Sequence, residues 1–453
     1  MSTDMVIFFC FLSAFFLWSV NILGLTSWSL NILFVIVWVF TILSCIKSKN
    51  TESALNIIMI YCMSVGVICC LIVEGGAYLS EIRMFGKLSG ATIRVGFTAL
   101  IFLLTTILIT GILSKYLQPV NTMDKKINWS INILIQIIMF GSFLGLLFVY
   151  SKYGTPNSNG VDRFKYWSEI APGWGRYLQF MLLQFSFLLG IKYTESKAKK
   201  YIVLLVISVS MQFIGGEKFT GPSLSILFFL IPILFYLQKD LISVISRPKI
   251  MITILVVLSV FMFSSYLSYS AIYGDSAQGI RYLVERVALQ AQVWWAVDSA
   301  SEIINPQLSL AWLLRYGFGL GLNEGNVNFG MYFLMQKITP SDVFLRFVDN
   351  GIRFTMGAPV NYNYFFGNVL GPIVAIFFGF WAGFGTWLLR NAILMKDLFY
   401  GFIVLKYYYF ILQICIMSDW YYFLTAKFIV FTIFIAFYSL VLQRIIIKKW
   451  ASA

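Results

Sequence analysis

The sequence predicts an all-α polytopic membrane protein of about twelve transmembrane helices, with a large outer loop that carries short amphipathic helices. Three observations predict it. Of 453 residues, 60% are apolar and 11% charged, a balance that cannot furnish both a packed core and a wettable surface. Apolar stretches of about 20 residues, the length that crosses a bilayer as a helix, recur along the chain. Histidine is absent, and Cys10, Cys45, Cys62, Cys69, Cys70 and Cys415 all fall in or beside apolar stretches. Neither a disulfide framework nor any histidine-based metal or nucleophile site is therefore expected.

In chain order the stretches lie near 5–23, 28–46, 54–73, 95–114, 128–150, 175–193, 201–215, 222–238, 250–272, 364–389, 398–417 and 421–443. The first follows Asp4, with no preceding cation and no small-residue cleavage site, so it is expected to be a retained span. Residues 1–453 are taken as one membrane domain. With the N-terminus inside, the short inner connections carry Lys47, Lys49, Lys115, Lys125, Lys126, Lys192, Lys197, Lys199, Lys200, Lys239, Arg247, Lys249, Arg390, Lys396, Arg444, Lys448 and Lys449. This satisfies the positive-inside rule with both termini cytoplasmic. The formal charge of +14 forms no basic stripe interleaved with aromatics, so the expected partner is anionic lipid and not nucleic acid.

The outer connections carry arginine instead: Arg83, Arg94, Arg163, Arg176, Arg281, Arg286, Arg315, Arg346 and Arg353. Topology needs only positive charge, whereas a planar guanidinium fork matches phosphate oxygens two at a time. The pattern points to an anionic substrate on the outer side. The competing reading is that these arginines pair with Glu81, Asp162, Glu169, Glu285, Asp298 or Asp349 and simply hold the loops.

Two outer connections are long. Residues 151–174 begin polar and rich in Gly, Pro and Asn, then turn aromatic and basic through Arg163, Tyr166, Trp167 and Trp174. Residues 273–363 are too many for a structureless loop and should fold on the membrane face. Within them, 279–304 has helical periodicity, with Arg281, Glu285 and Gln292 on one face and Arg286 and Gln290 on another. Amphipathic pieces at 308–316, 328–338 and 341–348 are expected to lie on the bilayer as interfacial helices. Arg281 and Arg286 follow the expected ninth span by about two turns, at the level of a lipid diphosphate headgroup.

Between the seventh and eighth stretches, Ile214-Gly-Gly-Glu-Lys-Phe-Thr-Gly-Pro222 joins two short half-spans around Glu217 and Lys218. Glycines and proline between half-spans mark broken helices whose freed backbone lines a polar cavity, although a tight surface turn has the same composition. Trp167, Trp174, Trp294 and Trp295 are candidates either for stacking on sugar rings or for an interfacial belt. Asp419-Trp420 carries no signal.

A dozen spans, the Gly215-Gly216-Glu217-Lys218 turn before a half-span, an arginine helix after the next span and a large outer loop together resemble the Wzy-type O-antigen polymerases. The resemblance covers most of the chain in layout. Relatives often carry arginine where Lys218 stands, and Arg346 with Gly357 matches a spacing of arginine and glycine found in outer loops of some members. The resemblance implies a bacterial inner-membrane enzyme with a GT-C-like fold. Such an enzyme transfers a growing glycan from undecaprenyl diphosphate onto the next lipid-linked repeat unit at the periplasmic face, beside membrane lipids, a chain-length regulator and a flippase.

Arginines in a partly dehydrated site can stabilise the departing diphosphate, and no Asp-x-Asp pair stands in an outer loop, so a metal-independent, cofactor-free mechanism is expected. Glu217 is the first candidate for the base and Glu285 the second, with Arg286 and Arg281 as the catalytic clamp. Lys218, Arg163, Arg176, Arg315, Arg346, Arg353, Trp174 and Gln290 are the candidates for substrate binding. An O-antigen ligase would rely on an outer-loop histidine and a glycan O-acyl transferase on a membrane histidine, and this chain has none. A lipid-linked oligosaccharide flippase, the other alternative, fits poorly with so large a loop at 273–363.

Overall fold

Among the described residues, helices form where the apolar stretches predict them, but two are broken. The computed structural model describes residues 3–117, 125–161, 163–217, 220–237, 285–299, 309–321 and 328–438, with a few single residues between 248 and 267. The expected ninth stretch, 250–272, falls almost entirely outside the described residues, and so do Lys218 and Arg281.

The chain is a membrane-embedded helical protein. Seven described helices are long and apolar enough to cross a bilayer: α1 (Thr3–Ile22), α2 (Trp28–Ser48), α4 (Ile57–Glu74), α5 (Ala91–Tyr116), α6 (Lys125–Tyr153, over Ile133–Tyr153), α15 (Ala358–Met395) and α16 (Leu398–Cys415). Shorter apolar helices are α9 (Lys200–Ile214), α10 (Thr220–Tyr236) and α17 (Ala426–Phe437). Helix α8 (Gly173–Ser196) has the length of a span but a more polar sequence, with Arg176, Gln179, Gln184 and Lys192 along it. Phe16, Phe40, Phe140 and Ile433 point outward more than half exposed, as side chains facing lipid do.

The expected span 54–73 splits at Asn56 into α3 (Asn50–Leu55) and α4. The Asn56 amide donates to Glu52 O and Thr110 Oγ1 and accepts from Thr386 Oγ1, joining α3, α5 and α15. Helix α15 breaks at Gly367, whose φ of 78° only glycine adopts without strain. Gly371 then lets the chain fold back on itself: a Cβ there would lie 2.9 Å from Asn363 Cα. Residues 358–366 are thus a buried half-helix turned against the long span, a break the sequence did not announce.

Ion pairs tie the described parts of the connections together, at what is termed the loop end: Arg94–Asp298 and Arg286–Glu81 join 74–94 to 285–299, Arg163–Glu217 joins the turn after α6 to the turn after α9, and Arg353–Asp419 joins the chain before α15 to the turn after α16. The opposite end is fastened by Trp387 Nε1 to Leu117 O and Tyr236 OH to Ile393 O, both 3.2 Å. A two-residue hairpin, β1 (Tyr78–Leu79) with β2 (Met84–Phe85), sits between α4 and α5.

The described parts of 273–363 form short helices, and the one within 279–304 is packed into the protein. Next to α7 (Arg163–Lys165) in the numbering of short elements come α11 (Gln292–Asp298), α12 (Leu310–Trp312), α13 (Gly330–Ile338) and α14 (Ser341–Asp349). Trp294 and Trp295 of α11 are wholly buried, with their indole N–H groups donated to Met356 O and Lys87 O. Trp294 wedges against Gly66 in the middle of α4, about 12 Å along the helix from Glu74. These two tryptophans are core anchors, neither belt nor sugar platform, because periodicity cannot tell a protein surface from a lipid surface.

Candidate functional site

The turn that joins α9 to α10 is shaped by its glycines. A side chain at Gly215 would collide with the Tyr150 hydroxyl and come within 2.6 Å of Gln179 Nε2. Gly216 has φ +85°, and a Cβ on it would lie 2.8 Å from Arg163 Cβ. With neither side chain present, the turn nests against the 154–163 loop and Glu217 reaches Arg163 as an ion pair through Nη1 and Oε2. The Arg163 guanidinium also lies 4.5 Å from the Phe164 ring centroid. Below the pair, Tyr150 OH donates to Met211 O (3.2 Å), Gln179 Nε2 to Gln212 O (3.4 Å) and Gln212 Nε2 to Ser225 Oγ (2.6 Å). Gln212 Oε1 and Trp167 Nε1 are buried there without a hydrogen-bond partner.

A second pair approaches from α16 and the chain before α15. Arg353 Nη1 meets Asp419 Oδ2 at 2.7 Å, with the Asp419 side chain 3% exposed. Burial pushes the Asp419 carboxyl up to about 6, against the downward pull of Arg353. For Arg353, burial disfavours the charge, but Asp419 and then Tyr421, Tyr422 and Tyr332 hold the guanidinium above its ordinary range. Between the two pairs stands Tyr409 of α16, whose ring lies 6.3 Å from that of Phe180 on α8. Glu217, Arg353, Arg176 and Tyr422 all lie within electrostatic range of its phenol. Arg176 rests over Phe180 at 5.9 Å and, among the described residues, has no ion-pair partner.

The structure thus brings together four of the sequence-predicted residues, Arg163, Arg176, Glu217 and Arg353, and adds Asp419 and Tyr409. Sequence reasoning missed both: Asp419 sits in a short turn without pattern, and Tyr409 lies in an apolar aromatic run. The other candidates are held differently. Arg286 Nη1 meets Glu81 Oε1 at 2.7 Å, Gln292 Nε2 donates to Glu81 Oε2, and Gln290 Nε2 donates to Arg286 O at 3.2 Å. These residues form a set of their own between the 74–91 connection and residues 285–292. Arg315 and Arg346 are exposed, each over the aromatic ring that follows it (5.5 Å), and make no ion pair among the described residues. Trp174 is half exposed, near Gly145 of α6.

Three of the arginines expected on the outer side pair with acids that the competing reading does not name: Arg163 with Glu217, Arg353 with Asp419 and Arg83 with Asp342. Two found acids that it did: Arg94 takes Asp298 and Arg286 takes Glu81. Among the described residues no three Asp, Glu or Cys side chains converge so as to hold a metal ion.

A family model described as a family of unknown function (DUF6418) matches residues 324–432. That segment runs from just before α13 into α17 and includes Arg346, Arg353, Tyr409 and Asp419. No curated protein and no solved structure matches the chain.

Proposed function

We propose that the protein polymerises undecaprenyl-diphosphate-linked O-antigen repeat units, as Wzy-type polymerases do, with twelve spans, a GT-C-like fold, cytoplasmic termini and its loop end in the periplasm of a bacterial inner membrane. The observation that carries the reading is the convergence of Arg163, Arg176 and Arg353 with Glu217 and Asp419 around Tyr409. Cations in excess over acids, partly removed from water and backed by apolar helices, suit a ligand that arrives as an anion and leaves with more charge.

In the reaction, an acceptor sugar hydroxyl forms a new bond to the anomeric carbon of the growing chain. The bond from that carbon to the diphosphate oxygen breaks, and its electron pair leaves on undecaprenyl diphosphate. Glu217 accepts the hydroxyl proton. Arg176, which pairs with no carboxylate among the described residues, is the guanidinium most available to the departing phosphate. Arg163 and Arg353 already balance Glu217 and Asp419, which fixes their forks in place before substrate arrives.

The test is deletion of the gene in its host followed by examination of surface polysaccharide. Single capped repeat units support the polymerase. Uncapped core would indicate a ligase, and lipid-linked units trapped inside would indicate a flippase; either overturns the reading.

A further inference from the structure

Helix α16 is buried except along one stripe at helical spacing: Phe399, Phe402, Lys406, Tyr409, Phe410 and Gln413. The stripe is recessed, because α8 flanks it on one side and α17 on the other. Phe185 of α8 stacks on Phe402 (ring centroids 5.8 Å) and Phe180 meets Tyr409 edge-on (6.3 Å), while Phe431 and Phe428 of α17 lie 6.0 and 6.3 Å from Phe410. The result is a groove from Phe402 to Gln413 whose side chains are half-buried, whereas Val430 and Ile433 of α17 are each 63% exposed, as lipid-facing residues are.

A stripe that meets lipid is apolar, but this one carries Lys406, Tyr409 and Gln413 on successive turns. Among the described residues Lys406 pairs with no carboxylate, and neither the Tyr409 hydroxyl nor the Gln413 amide makes a hydrogen bond. Lys406 stands about 14 Å along α16 from its loop end at Cys415. Its ammonium lies 5.4 Å from the Phe402 ring centroid, and Phe402 is itself about 6 Å along the helix from Leu398 at the other end, so the charge stays inside the span. An unpaired charge and two unpaired polar groups at that depth are costly in hydrocarbon, and water removes the cost. The groove opens upward onto the candidate site, with which it shares Tyr409; Arg176 rests there over Phe180, and Glu217 and Asp419 are already held by Arg163 and Arg353. A cation thus stands at the mouth and another at the foot, with hydroxyl and amide donors between them.

We propose that this groove is filled with water from the loop end to mid-bilayer, and that Lys406 at its foot binds a small oxyanion drawn in from solution. Two cations without carboxylates of their own raise the local concentration of anions in a narrow, low-dielectric channel. The Phe402–Phe185 stack closes the groove below Lys406, so an anion that enters is stopped there. The inference does not rest on the polymerase reading.

Thiol labelling of single-cysteine substitutions in phosphatidylcholine nanodiscs tests it, each rate taken above that of the unaltered protein. Lys406→Cys removes no hydrogen bond or ion pair, and it is expected to react with water-soluble methanethiosulfonates at least tenfold faster than Ile433→Cys on the lipid-facing side of α17. At Tyr409→Cys, or at Gln413→Cys should the first fail to fold, the sulfonate reagent should react about tenfold faster than the trimethylammonium reagent. Lys406→Gln should remove most of that preference, and inorganic phosphate should slow the sulfonate reagent more than chloride at equal ionic strength. Lys406→Cys reacting no faster than Ile433→Cys overturns the water-filled groove. Equal rates for the two reagents, a preference that survives Lys406→Gln, or slowing by phosphatidylglycerol in the nanodisc but not by phosphate in the buffer overturns the oxyanion site.

Discussion

At the scale of single residues, the site depends on which carboxylates face which guanidiniums. Glu217→Gln keeps the shape of the turn but cannot take a proton, so polymer formation is expected to fall by about 10² or more. Scoring the polysaccharide ladder at matched expression checks it, and a normal ladder would reassign the base. Asp419 supplies a different handle. Its buried carboxyl titrates near 6, and an anion beside Arg353 favours the protonated, neutral form. Affinity for undecaprenyl diphosphate should therefore rise as pH falls through 6, and Asp419→Asn should remove that part of the pH dependence, since the headgroup's own titration remains in both proteins. Binding measured from pH 5 to 8 in wild type and variant decides it; identical slopes would exclude Asp419. Glu217 was legible because ionisable groups beside glycine-broken half-spans are costly without a role, and Arg163 because its connection carries arginine where topology needs only charge. Asp419 was not, since only folding brings Arg353 to it and removes both from water.

At the scale of elements, backbone shape does as much as side-chain chemistry. Gly216 carries φ +85° with Arg163 Cβ already against it, so Gly216→Ala incurs left-handed strain of about 1 kcal/mol or more and pushes the 154–163 loop away. Gly173, at the start of α8, has open space around it and an ordinary backbone, and Gly173→Ala should stay within about 0.5 kcal/mol of wild type. Comparing the two by thermal unfolding in detergent, together with the ladder, separates strain in the turn from a general intolerance of substitution. The glycine pair was readable from the sequence as a break between half-spans. The break at Gly367 was not, because its stretch is long enough to hide one: Gly371 and Pro372 look like ordinary tolerated residues of a span until Asn363 is seen folded across them.

At the scale of the whole molecule, composition alone gave the membrane class, because a chain with so few charges has no other solvent to fold in. It could not give the attachment of residues 285–299 to the bundle, which depends on charges meeting far apart in sequence. Glu74, at the end of α4, accepts from the backbone N–H groups of Ser89, Gly90, Ala91 and Thr92 and from Asn31 Nδ2, capping α5 from across the bundle. One turn along, Arg94 grips both oxygens of Asp298 and donates to Asn21 Oδ1 (2.7 Å) and Ser89 O (2.9 Å). Asp298 is wholly buried; burial pushes its carboxyl upward and Arg94 draws it back. Losing one partner leaves the other charge buried and alone, at a cost of about 3–5 kcal/mol, whereas replacing both with apolar groups leaves nothing unpaired. Asp298→Ala is therefore expected to lower thermal stability sharply and to release the segment around 285–299 to proteolysis, while Arg94→Met with Asp298→Leu recovers most of the loss. Melting curves and limited proteolysis of the two variants in detergent are the measurement. An Asp298→Ala variant as stable as wild type would mean that Trp294, wedged on Gly66, holds the segment without help from the ion pair.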